Sequence, residues 1–481
     1  MQPGTGYWLT RLIFLRALGL VYLIAFLVAL NQFRPLLGEH GLLPIRLFVH
    51  HVAFRRTPSL FFFFPADWAS TAAAWTGTGL SVLALTGISE RFSTWVSVLI
   101  WSALWVLYLS FVNVGQIFYA FGWESILLET GFFAIFAGAQ NSQPQMWWIW
   151  IQRWVLFRVM FGAGLIKLRG DPCWRNLTCL DYYFETQPIP GPLSWYFHWM
   201  PAWAHHAGVL FNHFVELIVP FGYFAPQPVG AIAGLLTILF QGTLWLSGNL
   251  SWLNLLTIVL AITTLDDRIL HHLIPIARPE TLHASRIHEY ATVALAVLVG
   301  VLSVQPVLNL FSPNQIMNYN YNPLHLVNTY GAFGGITRTR YEVIVEGASD
   351  AKLTSGTVWR EYEFKGKPGD PARSPPQIAP YHLRLDWLMW FAGMGDYEDQ
   401  PWFVPFMAKL LVGDRGTLGL LRKNPFPDAP PRFVRALRYE YRFTSPAERK
   451  QTGLWWKRTL RGLYFPAVSL KDLASVENWM R

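Results

Sequence analysis

Ionisable residues interrupt two apolar stretches of the sequence that are otherwise suited to a membrane interior. Lys167 closes the run "FGAGLIKL", and His213 and Glu216 lie three residues apart in "FNHFVEL". A lysine in an apolar pocket has a lowered pKa, and its neutral amine can then act as a base or nucleophile. A histidine and a glutamate at helix positions i and i+3 are close enough to share a proton. We therefore take these three residues as the candidate catalytic group.

Buried ion pairs that brace a helical bundle are the alternative explanation for these charges. Glu129, Arg153 and Arg158 also lie in apolar stretches, where an unpaired charge is costly. On an ideal helix Arg153 and Lys167 fall roughly 40° apart, and Arg158 points roughly the other way. Glu129 is a candidate counter-ion for Lys167 or an arginine. No third ligand accompanies the histidine and glutamate, so we predict no metal site.

The composition is that of a membrane protein. Of the 481 residues, 53% are hydrophobic and 14% are charged, whereas soluble domains have about 25% charged residues. A helix needs roughly 20 apolar residues to cross the hydrocarbon, and about nine stretches approach this length. They are residues 12–31, 69–87, 94–112, 124–138, 146–167, 205–224, 228–247, 250–265 and 288–309. The fourth and eighth are short.

Beyond the last apolar stretch the sequence becomes charged and rich in Pro and Trp. Three segments alternate polar and apolar residues as half-buried strands do, at 340–347, 359–366 and 435–443. Two others, 401–413 and 453–465, resemble amphipathic helices that lie on a membrane surface. We therefore predict a polytopic α-helical bundle over residues 1–309, with an outward-facing loop at 168–204, and a β-rich extramembrane domain over 310–481.

The distribution of basic residues predicts the topology. By the positive-inside rule, five arginines place the N-terminus and the loop before the last span in the cytoplasm: Arg11, Arg16, Arg268, Arg278 and Arg286. An odd number of spans then puts the 168–204 loop and the C-terminal domain in the periplasm or lumen. Four arginines between the first two spans run against the rule, since they would lie outside: Arg34, Arg46, Arg55 and Arg56.

The net charge and the cysteines restrict the partners and the compartment. The formal charge of +9 comes without a basic helix or aromatic–basic patch, so membrane lipid is the expected partner and nucleic acid is not. Cys173 and Cys179 both lie in the outward-facing loop. They form a disulfide if that loop faces an oxidising compartment and are free thiols otherwise. The sequence contains no G-x-S-x-G, H-E-x-x-H, C-x-x-C or P-loop motif.

Longer motifs carry a resemblance to a known family. "GAGLIKLRGDPCWRNLTCLDYYFETQPIP", "NHFVELIVPF", "SGNLSWLNLLT" and "NTYGAFGGITRTRYEVIVEG" resemble the lipase maturation factor family. Its animal members are endoplasmic reticulum proteins that help secreted lipases to fold, and their long conserved region contacts clients in the lumen. The resemblance implies a membrane-embedded maturation factor without a cofactor, with a secreted lipase as client. The end, "ENWMR", carries no retention signal, so we expect the bacterial inner membrane, or the endoplasmic reticulum for a eukaryotic chain.

If the chain binds clients, aromatic side chains of the 168–204 loop are the candidate contacts, because Trp and Tyr are frequent in binding surfaces. The candidates are Trp174, Tyr182, Tyr183, Trp195 and Trp199. Anchoring of these rings at the membrane interface is the alternative.

A shorter motif, "AGLIKL", resembles the transmembrane group that includes vitamin K-dependent γ-carboxylase, in which a lysine at this place is the base on the quinol. The continuation "RGDPCWRNLTC" departs from that pattern. This resemblance implies the alternative function, an enzyme that uses Lys167 on a quinone-like or lipid substrate. A deep apolar cavity ending at Lys167 would favour the enzyme. A lysine sealed by Glu129 or pointing into solvent would favour the maturation factor.

Overall fold

The computed structural model describes residues 6–276, 279 and 281–473, so Arg278 and the "ENWMR" end lie outside the described residues. Each of the nine apolar stretches falls on a helix or on consecutive helical segments. These are α1 (Trp8–Leu37), α2 (Asp67–Thr86), α3 (Thr94–Val114), α4 (Gly122–Ala134), α5 (Met146–Arg169), α6 (Ala202–Phe224), α7 (Val229–Ser247), α8 (Leu253–Ile262) and α9 (Arg286–Phe311).

The nine helices alternate between two ends of the bundle, and polar contacts define each end. At the Trp8 end, where α1 begins, the carboxylate of Asp267 accepts hydrogen bonds from the backbone N–H of Trp8 and Leu9. Arg11 donates to the carbonyl of Ala137, just beyond α4. The loops that precede α3, α5, α7 and α9 lie at this end.

The opposite end is the Lys167 end, where α5 finishes. Here Arg34 near the end of α1 pairs with Asp67 at the start of α2. Asn113, at the end of α3, donates to the carbonyls of Pro58 and Pro323. The 168–204 loop and the chain that follows α9 therefore start from the same end of the bundle.

Six helices in the described part of the chain are long and apolar enough to cross a membrane, namely α1, α3, α5, α6, α7 and α9. The helix α2 is 20 residues long but rich in Ala, Ser, Thr and Gly. The helices α4 and α8 are short, with 13 and 10 residues, as expected from the sequence. A polytopic helical membrane protein is confirmed, while the number of nine spans stays a prediction.

Shorter helical segments connect the bundle helices. The 168–204 loop contains three of them, Pro172–Arg175, Leu180–Thr186 and Ser194–His198. The others are Ile45–His51, Phe54–Arg56, Leu60–Phe62, Ile88–Arg91, Gln116–Tyr119 and Asp267–Leu273.

The C-terminal part contains the expected strands. A four-stranded antiparallel sheet has the order β2-β1-β5-β6, and β3 pairs with β4 in a second, smaller sheet. The strands are β1 (Arg340–Ala348), β2 (Arg360–Glu361), β3 (Glu363–Phe364), β4 (Leu421–Lys423), β5 (Phe433–Phe443) and β6 (Trp456–Val468). The helices are α10 (Arg384–Met394), α11 (Phe403–Val412), α12 (Arg415–Leu420) and α13 (Pro446–Thr452), with a 3-10 turn at Tyr397–Asp399.

Two expectations for this part are wrong. The segment 453–465, interpreted as an amphipathic helix, is mostly strand β6, because pairing with β5 overrides the helical pattern of its apolar residues. The segment 401–413 does contain a helix, α11, but not a membrane-surface one. Phe403, Phe406 and Leu410 are fully buried, so α11 is a core helix.

Buried polar contacts join the C-terminal part to the bundle. Arg384, the first residue of α10, donates from Nη1 to Glu124 of α4 at 2.8 Å and to the carbonyl of Phe118. Its backbone N–H donates to the side chain of Gln32 in α1. Aliphatic and aromatic residues of both parts also form one continuous hydrophobic core. The C-terminal part is therefore packed against the Lys167 end.

Candidate functional site

Lys167 forms a buried ion pair with Glu216. Its Nζ lies 2.5 and 2.7 Å from the two carboxylate oxygens of Glu216 and 3.1 Å from Oδ1 of Asn212. The ring of Trp174 lies 5.1 Å away. Three acceptor atoms match the three N–H groups of a protonated ammonium. The geometry therefore fits a charged lysine that is fully hydrogen-bonded.

This arrangement bears on the predicted catalytic role of Lys167. The structure brings Lys167 and Glu216 together, as the candidate group requires, but it does so as partners of opposite charge. A neutral amine would leave the buried Glu216 carboxylate without its counter-charge, which is unfavourable. Catalysis by this pair stays a prediction, and the geometry favours the bracing role that was the alternative.

His213 does not share a proton with Glu216, contrary to the expectation from their spacing. Its Nε2 lies 3.0 Å from the carbonyl oxygen of Trp174. The segment Phe214–Ile218 between them is π-helical, and the wider turn rotates the side chains apart. His213 thus contacts the 168–204 loop. Within the described ranges, no three His, Cys, Asp or Glu side chains group in a way that could hold a metal ion.

Glu129 pairs with Arg158 and not with Lys167. Both nitrogens Nη1 and Nη2 of Arg158 donate to this carboxylate. The hydroxyl of Tyr330 donates to Glu129 at 2.6 Å, and the backbone N–H of Asn328 donates at 3.1 Å. All four residues are buried. The segment after α9 therefore completes the surroundings of an ion pair that lies inside the bundle.

Arg153, the third predicted member of an intramembrane ion pair, has no acidic partner in the described part of the chain. It donates instead to the carbonyls of Thr263 and Tyr223, at 2.9 and 3.0 Å, and to the hydroxyl of Tyr7. Carbonyl dipoles thus replace the expected carboxylate. Arg153 ties the ends of α6 and α8 to α5 at the Trp8 end.

Residues 171–179, which we call the cysteine loop, form a compact structure that is attached to the C-terminal part. Cys173 and Cys179 are buried and joined by a disulfide, with their Cα atoms 4.8 Å apart. Asp171 accepts hydrogen bonds from the backbone N–H of Cys173 and from Arg338, at 2.9 and 2.7 Å. These bonds hold the pKa of Asp171 at about 2, below its usual range, with the Arg338 hydrogen bond as the largest cause.

Three of the five predicted client contacts lie inside the protein. The indole N–H of Trp174 donates to the carbonyl of Phe333, and that of Trp195 donates to the carbonyl of Thr444. Tyr183 packs edge-on against the ring of Phe333. Because these three side chains are buried, their assignment to a client surface is wrong. They attach the loop to the C-terminal part.

The other two predicted contacts remain accessible. Tyr182 is half-buried beneath the guanidinium of Arg338. Trp199 is 42% exposed, and the sequence around it contributes further exposed apolar side chains. These are Tyr196, Met200 and Trp203, which with Trp199 we call the loop aromatic surface. A client-binding role for Tyr182 and Trp199 stays a prediction.

A cavity of about 520 Å³ lies between the bundle and the C-terminal part. Its walls are mostly apolar, with Met160, Leu253 and Phe391 among them, and Lys167 and Glu216 also line it. The volume is within the roughly 300–1,000 Å³ that is usual for small-molecule sites. The structure thus combines the cavity expected for an enzyme with a sealed lysine, although the sealing residue is Glu216 and not Glu129.

Comparison with known proteins assigns the family. A model of the lipase maturation factor transmembrane domain matches residues 9–272, and a model of the lipase maturation factor C-terminal domain matches residues 326–466. The chain belongs to the lipase maturation factor family. The division at residue 310 lies between these two matches and stays a prediction.

Individual relatives of the lipase maturation factor family align along nearly the whole chain. Human lipase maturation factor 1 is 44% identical over 515 residues, which cover 98% of this chain and 90% of that protein. Lipase maturation factor 2 of Rattus norvegicus is 29% identical over 96% of this chain and 83% of that protein. No solved structure matches the chain.

Isolated charges in the sequence do not reveal the polar residues that join the two parts of this member of the family. Asn328, Tyr330 and Arg338 all contact the bundle or the cysteine loop, and Arg340 donates to the carbonyl of Pro188 at 2.9 Å. All four lie in "NTYGAFGGITRTRYEVIVEG". That motif carried the family resemblance, so its polar positions were the available signal.

Proposed function

We propose that this membrane protein is a maturation factor for secreted proteins, with a lipase as its client, and that it is not an enzyme. The observation that carries the proposal is the 44% identity with human lipase maturation factor 1 along 98% of the chain. The names of the relatives, lipase maturation factors 1 and 2, state their role in lipase maturation. The complete pairing of Lys167 also supports a role without a free catalytic base.

The proposed orientation places the Lys167 end in an oxidising compartment, the periplasm or the lumen. The disulfide supports this, because disulfides persist in such compartments. Arg268 and Arg286 lie beside the Trp8 end, which agrees with a cytoplasmic side. For a bacterial chain the membrane would be the inner membrane, and for a eukaryotic chain it would be the endoplasmic reticulum.

The proposed client surface is the loop aromatic surface. Two of its rings are held by contacts with the C-terminal part, since the indole N–H of Trp199 donates to the carbonyl of Thr444 at 3.0 Å and the guanidinium of Arg449 lies over the ring of Tyr196. Preorganised aromatic side chains bind at a lower entropic cost than mobile ones. Secreted lipase chains that emerge on this side of the membrane would meet it directly.

A specific observation keeps the enzyme alternative as a second candidate. The cavity beside Lys167 has the volume and the apolar walls expected for a quinone-like or lipid substrate. The amine would become a base only if its proton passed to Glu216 or to another group. While the ion pair is intact, each N–H group of the Lys167 ammonium has an acceptor atom.

The test uses a strain that lacks this gene and secretes a lipase whose specific activity depends on it. The strain receives the wild type, Lys167→Ala, or the double variant Lys167→Met/Glu216→Met, at matched membrane abundance. The single variant leaves Glu216 unpaired in a buried place, which is destabilising. The double variant removes both charges, so it separates a bracing pair from a catalytic one.

A maturation factor predicts that the double variant restores the specific activity of the lipase to near the wild-type level, even where Lys167→Ala does not. An enzyme that needs the lysine predicts failure of both variants at normal abundance. In the second case the proposal would be abandoned in favour of the enzyme.

A further inference from the structure

The segment 45–68, which connects α1 to α2 and includes the first two residues of α2, combines basic and aromatic side chains on its surface. Arg46, Arg55 and Arg56 are exposed. None of the three forms an ion pair or a side-chain hydrogen bond with another residue that the structure describes. By contrast Arg34, just before this segment, pairs with Asp67. Three unpaired guanidinium groups are therefore available to an anion.

Exposed aromatic rings accompany these arginines. Phe63, Phe64 and Trp68 are each more than half exposed. The ring of Phe54, which begins the turn that contains Arg55 and Arg56, lies 5.5 Å from that of Phe63. The turn with Arg55 and Arg56 therefore adjoins the exposed aromatic rings. Side chains of these two kinds are characteristic of peptides that bind in the interfacial region of a membrane.

The segment is fixed to the bundle beneath this surface. Phe61 is buried, with its ring 5.0 Å from Phe111 of α3. Ser59 donates from Oγ to the carbonyl of Ser110 at 2.9 Å, and Asn113 donates to the carbonyl of Pro58 at 2.8 Å. The exposed side chains are thus held at the ends of α1, α2 and α3, at the depth where bundle helices leave the hydrocarbon.

We propose that the exposed surface of segment 45–68 binds the headgroups of anionic phospholipids at the Lys167 end of the bundle. The guanidinium groups meet the phosphates, and the neighbouring rings enter the boundary between headgroups and acyl chains. This also accounts for three of the four arginines that contradict the positive-inside rule, since Arg46, Arg55 and Arg56 serve to bind lipid on that side. The proposal does not depend on the lipase-maturation function.

The test is native mass spectrometry of the purified full-length protein in detergent with equal amounts of phosphatidylglycerol and phosphatidylcholine. The variant Arg55→Gln/Arg56→Gln is compared with the control Arg422→Gln/Lys423→Gln, which removes the same charge from an adjacent, exposed pair on the C-terminal part. Arg46→Gln is a second variant of the proposed surface. Unchanged melting temperatures show that the variants are folded.

We expect the wild type to retain phosphatidylglycerol in preference to phosphatidylcholine, with a preference that falls as salt is added. Arg55→Gln/Arg56→Gln should weaken that retention roughly tenfold or more, Arg46→Gln severalfold, and the control pair little. Equal loss in the control, or undiminished retention in the two surface variants, would overturn the proposal. The latter result would instead direct attention to an acidic protein partner.

Discussion

The guanidinium of Arg384 lies 2.8 Å from the carboxylate of Glu124, across 260 positions of the sequence, and both side chains are fully buried. The same arginine lies over the ring of Tyr119, and the hydroxyl of Tyr108 donates to Glu124. A charge from the C-terminal part is thus enclosed by groups of the bundle. The two parts share one buried polar centre, and neither can be complete without the other.

Removing one charge of this pair should strongly destabilise the protein. We expect Arg384→Met to lower the free energy of unfolding by about 3–5 kcal/mol, because Glu124 stays buried without its counter-charge. Thermal unfolding of the purified protein in detergent measures this. The double variant Arg384→Met/Glu124→Gln should recover part of the loss, and the exposed Arg422→Met should change stability by less than about 0.5 kcal/mol. A loss in the double variant equal to the sum of the single losses would contradict the coupling.

The contact of Asp171 with Arg338 predicts a dependence of stability on pH. The pKa of Asp171 is held at about 2 in the folded protein, below its ordinary value of 3.8. The contribution of this carboxylate is therefore fully present above about pH 4 and is lost as the pH falls through about 2. We expect Asp171→Asn to melt below the wild type at pH 7, with a difference that narrows from pH 4 towards pH 3. A constant difference over this range would show that Asp171 acts through its shape alone.

The disulfide should stabilise the cysteine loop by a modest amount. The bond closes a short loop, with a sequence separation of 6 residues, and the chain-entropy relation gives about 2 kcal/mol for such a length. We therefore expect Cys173→Ser/Cys179→Ser to melt at a lower temperature than the wild type. A reductant should lower the melting temperature of the wild type only. Labelling of wild-type membranes by a maleimide without prior reduction would show free thiols and argue against the bond.

Substitutions of Trp195 and Trp203 test two roles of the aromatic residues in the 168–204 loop, one structural and one in client binding. Trp195 is buried and bound to Thr444, whereas Trp203 is 72% exposed. We expect Trp195→Ser to reduce the amount of folded protein in the membrane, because large-to-small changes in a core cost several kcal/mol. Trp203→Ser should keep normal abundance and reduce the specific activity of the secreted lipase. Reduced abundance of Trp203→Ser would indicate a membrane anchor instead.

The helices of the bundle were predictable because hydropathy is a local property. The 146–167 and 288–309 stretches lie within α5 and α9 to a few residues. Alternation likewise located β1 and β5. The apolar residues of segment 453–465 have a helical pattern, but its conformation is decided by pairing with the strand β5, which no local pattern records.

The partners of the buried charges were not predictable for the same reason. The sequence offers several basic residues that could pair with Glu216 or with Glu129. Only the packing of α5 against α4 and α6 pairs Lys167 with Glu216 and Arg158 with Glu129. The exposure of aromatics posed a similar problem. Trp195 and Trp199 lie on one short stretch and both donate to the carbonyl of Thr444, at 2.8 and 3.0 Å, yet only Trp195 is buried. Which ring is covered depends on the packing of the distant C-terminal part.

The 260 positions between Glu124 and Arg384 have a consequence for how the chain is made. A ribosome delivers α4 to the membrane long before it has synthesised α10. Glu124 is therefore inserted without its counter-charge, and it stays either protonated or hydrated until α10 has been made and has packed against the bundle. The contact between Arg384 and Glu124 forms only when the C-terminal part has been synthesised and has packed against the bundle. A chain that ends before α10 therefore keeps the Glu124 carboxyl group without its partner.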